Sequence, residues 1–296
     1  MGVYLDRQSP LSMSDYRGRI APTPTGLLHV GHARTFAQAA ERAKRAGGQL
    51  VFRIEDLDAQ RCRDEFAQKS MEDCRWLGFA WSEGPDVGGP FGPYTQSQRI
   101  KYYSEIWKKL HATGLIYPCD KSRKDVERAL VAPHIEDDQE PIFPIELRPD
   151  KNHGNDATEP GNQNWRFRIP LGEEIKFHDE LQSAQSFTAG KDFGDFLIWR
   201  KDGFPSYELA VVADDHAMKI TEVVRGADLL LSTARQILLY RALNWTPPQW
   251  AHVPLVTDAQ GQRLAKRTHG LSIQELREKG ITAEAVLTAP LKILSN

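Results

Sequence analysis

The chain has few cysteines, almost no net charge and no long apolar run. Its three cysteines, Cys62, Cys74 and Cys119, are too few and too scattered for a disulfide framework, which favours a reducing cytoplasm. The 38 basic and 40 acidic side chains leave a net charge of −2, so an RNA partner would need a local basic face. Apolar stretches such as residues 229–240 stop well short of the ~18 residues of a membrane span, and we expect no membrane partner and no secretory leader.

The first regular pattern along the chain is a strand, a turn, a helix and a second strand. GRIAP at 18–22 and LVFRIED at 50–56 have the composition of short strands. A helix between them is indicated by apolar residues at i, i+3, i+4 and i+7: Ala33, Phe36, Ala37 and Ala40. The AGG at 46–48 supplies its C-terminal stop. The pattern predicts a βαβ unit in an α/β fold with a Rossmann-like, doubly wound parallel sheet, whose ligands lie at the carboxyl ends of the strands.

Downstream, a segment rich in Gly and Pro leads into a predicted helix from Ser97 to His111, with Thr95 and Gln98 as a possible capping box. A second periodic helix is expected at 232–245, and the polar, proline-broken stretch 131–164 indicates a surface insertion. We divide the chain into a loose tail (1–16), the first half of the α/β domain (17–118), an inserted subdomain (119–195), the second half of the α/β domain (196–250) and a C-terminal helical region (251–296).

Three phosphate-binding patterns are relevant to the stretch TGLLHVGHA at the start of the first helix. It lacks the G-x-G-x-x-G of dinucleotide sites. Gly26 and Gly31 have the separation of P-loop glycines, but His32 and Ala33 replace the lysine and the hydroxyl residue. The remaining pattern, His29-x-Gly31-His32 after a strand, resembles the signature of nucleotidyl transferases and class I aminoacyl-tRNA synthetases. That resemblance implies that both imidazoles stabilise ATP phosphates, in the company of Pro22 and Gly31. A glycine turn that happens to carry histidines is the alternative.

Near the C-terminus, GQRLAKRTHG at 261–270 contains a basic pair on a Gly-flanked loop. Alone it is typical of a solvated basic turn. Beside the histidine pattern it resembles the K-M-S-K-S loop of class I synthetases, although Ala265 replaces a serine. The resemblance implies a catalytic Lys266 and ATP-binding roles for four residues: Arg263, Leu264, Lys266 and Arg267.

Long strings of the chain, among them FRIEDLD and residues 202–230, resemble the glutamyl-tRNA synthetase family over residues 17–285. The resemblance implies a pocket for L-glutamate formed by six residues: Arg19, Ala21, Thr23, Glu55, Tyr207 and Arg225. The chemistry agrees, because guanidinium groups pair with carboxylates and Glu55 could hold the ammonium group. Arg19 and Arg225 could equally be structural ion-pair partners. ATP with Mg²⁺ is the implied cosubstrate.

Only about thirty residues follow Lys266, too few for an anticodon-binding region. In this the chain resembles the glutamyl-Q tRNA(Asp) synthetase branch, which transfers glutamate to the queuosine base of tRNA(Asp). The insertion would then bind the acceptor, and the C-terminal helices would contact the tRNA stem. Two alternatives stay open: a glutamate-activating enzyme with another acceptor, and a non-catalytic paralogue that binds tRNA or a protein.

Many members of that branch hold zinc with a C-x-C pair and a later Y-x-x-x-C. Here only Cys119 remains, while Lys121, Phe143 and Leu147 occupy the other aligned positions, so we expect no zinc. ADDHAM at 213–218 could suggest a metal cluster, but adjacent residues rarely converge on one ion, and core hydrogen bonding is the favoured interpretation. Asp56 and Asp58 are expected to form turns.

Overall fold

The computed structural model describes residues 15–121, 142–151, 153–154, 156–255 and 272–289. Within these ranges the strands are β1 (Arg17–Ile20), β2 (Gln49–Phe52), β3 (Ile116–Cys119), β4 (Asn164–Phe167), β5 (Glu174–Asp179), β6 (Ser183–Thr188), β7 (Phe196–Trp199), β8 (Glu222–Gly226) and β9 (Gln249–Val253). The α-helices are α1 (Val30–Arg45), α2 (Asp64–Trp76), α3 (Ile100–Ala112), α4 (Tyr207–Ala217), α5 (Leu230–Ala242), α6 (Ile273–Glu278) and α7 (Ala283–Thr288).

The predicted βαβ unit is confirmed. β1 and β2 pair in parallel, with Arg19 opposite Val51, and α1 connects them. Ala33 and Phe36 are buried on α1, and the helix ends where Gly47 adopts φ +61°, a conformation that glycine reaches without strain. The strand-turn-helix pattern therefore predicted this unit because each of its elements carries its own local signal.

The carboxyl ends of several parallel strands meet at one edge. β8 pairs with β9 in parallel, and β9 pairs with β5 in parallel at Asp179 and Trp250. β1 lies beside β8, since the Thr221 N–H donates to the Arg17 carbonyl at 2.9 Å. A Rossmann-like α/β fold follows from this order, and it places the residues after β1, β2 and β8 close to one another.

The segment 119–195 contributes to two sheets. β3, β4 and β7 form an antiparallel sheet, whereas β5 carries the antiparallel hairpin strand β6 on one side and β9 on the other. Trp165 of β4 and Trp107 of α3, which are among the largest fully buried side chains, pack edge to face with ring centroids 4.7 Å apart. The β5–β6 hairpin extends the sheet that contains β9 and β8, because β5 pairs with β9.

The predicted capping box at Thr95 and Gln98 was wrong. A 3₁₀ turn at Gln96–Arg99 precedes α3, and the Thr95 side chain makes no capping hydrogen bond. Asp56 instead accepts hydrogen bonds from the Ser97 N–H at 2.8 Å and from the Ser97 hydroxyl at 2.6 Å. A carboxylate 41 residues away performs the capping, and a local motif search does not find such a residue. The helix predicted at 232–245 is present as α5.

Candidate active site

The two histidines of the first motif lie at the N-terminus of α1. His29 is the N-cap residue, and its Nδ1 accepts the Gly31 N–H at 3.1 Å. The Nδ1 of His32 accepts the His29 N–H at 3.3 Å, and the two ring centroids are 3.8 Å apart. A ring nitrogen that accepts a hydrogen bond carries no proton, so we assign the proton of each neutral imidazole to Nε2. Each ring therefore presents an N–H donor on the side away from the helix backbone.

This arrangement suits an anion. The first turn of the 16-residue α1 has no acidic side chain, and its backbone N–H groups carry the positive end of the helix dipole. Imidazole N–H donors and helix N–H groups in one place can stabilise charge that develops on a phosphoryl oxygen.

Gly31 is required for the position of the His29 ring. A Cβ atom at residue 31 would lie 2.9 Å from Cε1 and 3.1 Å from Nδ1 of His29. The imidazole folds back over this glycine to cap the helix, and any larger residue would push it away. Gly31 has the backbone dihedral angles of an ordinary helix, so its conformation does not require glycine. The close approach of the His29 ring to its Cα explains why a glycine is present.

The turn after β1 packs against the end of β2. The Pro22 carbonyl accepts the Glu55 N–H at 3.0 Å, which brings residues 21–23 beside Glu55. Pro22 is buried, Ala21 is half-buried and Thr23 is exposed. The backbone of the predicted ATP and glutamate residues in this turn is therefore held to the strand that carries the candidate ammonium ligand.

A buried ionic cluster lies beneath the turn and consists of Arg19, Arg53, Glu55, Arg99, Asp214 and Asp215. Arg53 is at its centre, 2.8 Å from Glu55 Oε1 and 2.7 Å from Asp215 Oδ1. Arg99 lies 2.7 Å from Asp214, and Arg19 lies 3.6 Å from Asp215. Three guanidinium groups thus balance three carboxylates, as buried charges require.

The same contacts decide between the two interpretations of ADDHAM at 213–218, a metal cluster and core hydrogen bonding. Asp214 also accepts hydrogen bonds from Gln96 and Tyr103, each at 2.8 Å, while His216 stacks on Trp245 with centroids 3.8 Å apart. Core hydrogen bonding is therefore confirmed for the two aspartates. Among the residues described by the structure, no group of three His, Cys, Asp or Glu side chains could hold a metal ion.

Glu55 remains able to receive a cation although it is paired. Both of its hydrogen bonds from Arg53 reach Oε1. Burial raises the pKa of Glu55 above its ordinary value, against the opposing charges of Arg53 and Arg19. An ammonium group at Oε2 would stabilise the ionised form. The Nη1 of Arg19 donates to the Val224 carbonyl at 2.8 Å. For Glu55 and Arg19, a structural role in the ionic cluster is therefore compatible with a role in glutamate binding.

Arg225 stands at the end of β8, is 5% exposed and is held on several sides. Its Nε lies 3.1 Å from His252 Nε2, and its Nη2 lies 2.7 Å from Thr233 Oγ1. Its Nη1 lies 3.4 Å from the hydroxyl of Tyr207, the first residue of α4. Arg225 and Tyr207 are thus brought together as the resemblance implied.

Sequence reasoning missed five residues of this region: Arg53, Arg99, Asp179, Thr233 and His252. A signal exists for two of them, because Arg53 and His252 are polar residues inside apolar strand segments, LVFRI and QWAHV. Such residues must find a partner when buried, although the sequence does not say which one. The four residues proposed from the lysine loop, Arg263, Leu264, Lys266 and Arg267, lie outside the described residues.

Three of the positions aligned with zinc ligands meet in an apolar cluster. Cys119 and Phe143 are each 5% exposed and pack with Tyr117, and Leu147 packs against them. The guanidinium of Arg166 covers the Phe143 ring at 4.3 Å. Lys121 is half-buried, 3.1 Å from Asp120. One thiol among apolar side chains does not form a zinc site, since such sites use four nitrogen or sulfur ligands.

The chain is similar to known synthetases over most of its length. Residues 15–293 match the family described as tRNA synthetases class I (E and Q), catalytic domain. The chain is 44% identical to the glutamyl-Q tRNA(Asp) synthetase of Symbiobacterium thermophilum over 273 residues, covering 91% of this chain and 84% of that protein. The enzyme of that name from Nitratidesulfovibrio vulgaris is 44% identical over 284 residues, covering 94% and 86%.

Longer relatives match through one part of their length. The glutamate–tRNA ligase 2 of Syntrophus aciditrophicus is 39% identical, covering 92% of this chain and 56% of the ligase. The crystal structure of a glutamate tRNA ligase from Elizabethkingia meningosepticum in complex with its amino acid superposes with a TM-score of 0.72 at 31% identity, covering 86% and 52%. The chain spans about half of these ligases. It therefore belongs to the class I tRNA synthetases of the E and Q type and is a ligase that matches the glutamyl-Q tRNA(Asp) synthetases over most of their length.

Proposed function

We propose that this protein activates L-glutamate with MgATP and transfers it to the queuosine base of tRNA(Asp) in the cytoplasm. The observation that carries the proposal is the arrangement of opposite charges at the strand ends. Arg19, Glu55 and Arg225 follow or end β1, β2 and β8, beside the turn that leads to the histidines of α1. A dicarboxylic amino acid offers one ammonium and two carboxylates, which match one carboxylate and two guanidinium groups.

In the first step an oxygen of the glutamate α-carboxylate attacks the α-phosphorus of ATP. The new O–P bond forms as the P–O bond between the α-phosphorus and the leaving pyrophosphate breaks, and glutamyl-adenylate results. No enzyme nucleophile is needed, so the protein acts by positioning and by charge stabilisation. We assign phosphate stabilisation to the Nε2–H groups of His29 and His32, to the α1 backbone with Gly31, and to the loop residues Arg263, Leu264, Lys266 and Arg267.

In the second step a hydroxyl of the queuosine ring attacks the activated carbonyl, and AMP leaves with the electron pair of the broken C–O bond. The acceptor is supported by the two relatives named glutamyl-Q tRNA(Asp) synthetase, which the chain covers to 84% and 86%. The insertion 119–195 and the helices after 251 are the regions that we assign to acceptor and stem contact.

The first test is ATP–pyrophosphate exchange in the presence of glutamate, with and without tRNA. We expect exchange that depends on glutamate and that neither glutamine nor aspartate supports. Absence of exchange under both conditions would reject glutamate activation and favour a non-catalytic binding protein.

The second test uses labelled glutamate and tRNA(Asp) purified with and without queuosine. We expect label only on the modified tRNA, and we expect the same labelling when the 3′-terminal adenosine of that tRNA has been removed before charging. Equal labelling of both tRNAs would reject the queuosine acceptor and leave glutamate activation standing, so the two parts of the proposal fail separately.

A further inference from the structure

Behind Arg225 lies a buried hydrogen-bonded chain through three neighbouring strands. His252 on β9 is the register partner of Arg225 on β8, and Asp179 ends β5 beside β9. The Asp179 Oδ2 lies 2.5 Å from His252 Nδ1, and the His252 Nε2 lies 3.1 Å from Arg225 Nε. Asp179 and His252 are completely buried. Neither residue is among the side chains that the resemblance assigns to substrate.

Asp179 is held as an ionised acceptor. Its Oδ1 accepts the backbone N–H groups of Leu181 at 3.0 Å, Gln182 at 2.8 Å and His252 at 3.1 Å. Burial alone would raise the pKa of Asp179, but the hydrogen bonds from the His252 side chain and these backbone groups hold it below its ordinary value. The carboxylate therefore takes the ring hydrogen bond as an acceptor.

The ring of His252 is then limited to one tautomer. Burial lowers the pKa of His252, and the nearby positive charge of Arg225 acts in the same direction against the pull of Asp179. A neutral ring that donates from Nδ1 to Asp179 has a lone pair on Nε2. That lone pair faces the Nε–H of Arg225, which is a donor in every protonation state found in proteins, and the Thr233 hydroxyl lies 3.1 Å from the same nitrogen.

The guanidinium of Arg225 is left with one open edge. Of its five N–H groups, Nε–H meets His252, and the Nη2 hydrogens meet Thr233 Oγ1 at 2.7 Å and the Leu229 carbonyl at 3.4 Å. Among the described residues only the Tyr207 hydroxyl, at 3.4 Å, meets Nη1, so one Nη1 hydrogen remains. This Nη1 group therefore lies beside a residue that is 36% exposed.

We propose that His252 is a positioning residue for Arg225. Its Nε2 lone pair, directed by Asp179, holds the guanidinium so that Nη1 faces a substrate carboxylate. This inference rests on the proposed function, in which Arg225 binds glutamate. It further assigns the carboxylate contact to Nη1 with the Tyr207 hydroxyl, because the Nε edge that a side-on bidentate pair would use is already occupied by the imidazole.

Asp179→Asn tests the tautomer with almost no change of shape. The amide oxygen can keep the backbone N–H groups, and its NH₂ then donates to His252 Nδ1, which moves the ring proton to Nε2. Two donors would face each other at Arg225, and we expect the KM for glutamate to rise roughly 10- to 100-fold. The KM for ATP should change by less than about twofold, since that site lies at α1.

His252→Phe removes the acceptor, and His252→Gln restores an acceptor oxygen near the Nε2 position. We expect the Phe variant to raise the glutamate KM as Asp179→Asn does, and the Gln variant to recover most of the loss. Asp179→Asn and His252→Phe both act through the lone pair of His252 Nε2. Asp179→Asn should therefore cause no further rise of the glutamate KM in the His252→Phe background. His178→Phe is the matched control, because His178 is an exposed histidine on β5.

Nitrogen-15 NMR of the imidazoles provides a readout that does not need activity. We expect His252 to show a protonated Nδ1 in the wild-type protein and a protonated Nε2 in Asp179→Asn. An unchanged tautomer, additive effects in the double variant, or equal rises of both KM values would overturn the inference. A wild-type protein without glutamate-dependent exchange would reject the proposed function, and the NMR result would still decide the tautomer. If His252→Phe does not fold, Asp179→Asn and His252→Gln carry the test.

Discussion

The close approach at Gly31 makes a sharp prediction about the first histidine. In Gly31→Ala the added Cβ would lie 2.9 Å from the Cε1 of His29, whereas ordinary van der Waals contacts begin at 3.4 Å. The ring must therefore move by at least half an ångström and loses its cap bond to the residue 31 N–H. A misplacement of about 1 Å in a positioned group can cost roughly 10²-fold in rate, or about 2.7 kcal/mol of transition-state stabilisation.

The stability of the same variant should change little. Alanine is favoured over glycine inside a helix by about 0.8–1.0 kcal/mol, and loss of an N-cap bond costs about 1 kcal/mol. The two effects nearly cancel, so we expect a melting temperature within a few degrees of wild type.

The assay is glutamate-dependent ATP–pyrophosphate exchange at saturating substrates, with Gln38→Ala as the matched control because Gln38 is exposed on the same helix. We expect exchange to fall about 10²-fold in Gly31→Ala and to stay unchanged in the control. An unchanged rate in Gly31→Ala would show that the His29 ring has no part in activation. Equal loss in both variants would indicate that the helix as a whole had been disturbed.

Four further predictions concern other parts of the chain. His32→Ala should lower the exchange rate about 10²-fold through loss of one directed donor, and an unaffected rate would refute that role. Phe143→Ala should lower the free energy of unfolding by about 3–5 kcal/mol in denaturant titration, because the ring is buried against Tyr117. Metal analysis should find no zinc, whereas one stoichiometric zinc per chain would contradict the apolar cluster. Asp73→Asn should stabilise the protein at pH 7: burial raises the pKa of Asp73 to about 6, and neither carboxylate oxygen has a hydrogen-bond partner among the described residues. The folded state holds this proton more tightly than the unfolded chain, so the stabilisation should be absent below about pH 4 and grow as the pH rises through 6; a pH-independent difference would exclude Asp73 as its source.

Local signals were sufficient for part of the site. The βαβ unit, the position of His29 and His32 at a helix start and the glycine stop of α1 follow from residues close in sequence. A helix N-terminus is defined by four or five consecutive residues, so a motif search finds it.

Contacts between distant segments were not accessible in this way. The carboxylate that caps the turn before α3 is Asp56, 41 residues away, and the histidine behind Arg225 is 27 residues away on a neighbouring strand. Sequence patterns indicate that a polar residue in an apolar strand needs a partner, but the partner is chosen by strand order and register.

Glu55 shows how the two levels combine. The resemblance of its strand segment to the glutamyl-tRNA synthetase family identified it as the candidate ligand of an ammonium group. The tertiary structure decided which of its oxygens is occupied, because Arg53 shares its strand segment and reaches Oε1 while Asp215 from α4 holds the other end of that guanidinium.

By itself, the sequence determined the α/β unit, the histidine pair at the start of α1 and the residue types suited to an acidic amino acid. These depend on helix periodicity, turn chemistry and charge, which are properties of neighbouring residues. Only the tertiary structure decided that Asp179, His252 and Arg225 form one line, because the register of β5, β9 and β8 is set by the packing of the whole sheet. Short segments of the sequence therefore determine which residue types are available for the chemistry. Strands that are far apart in the chain set the orientation of those residues.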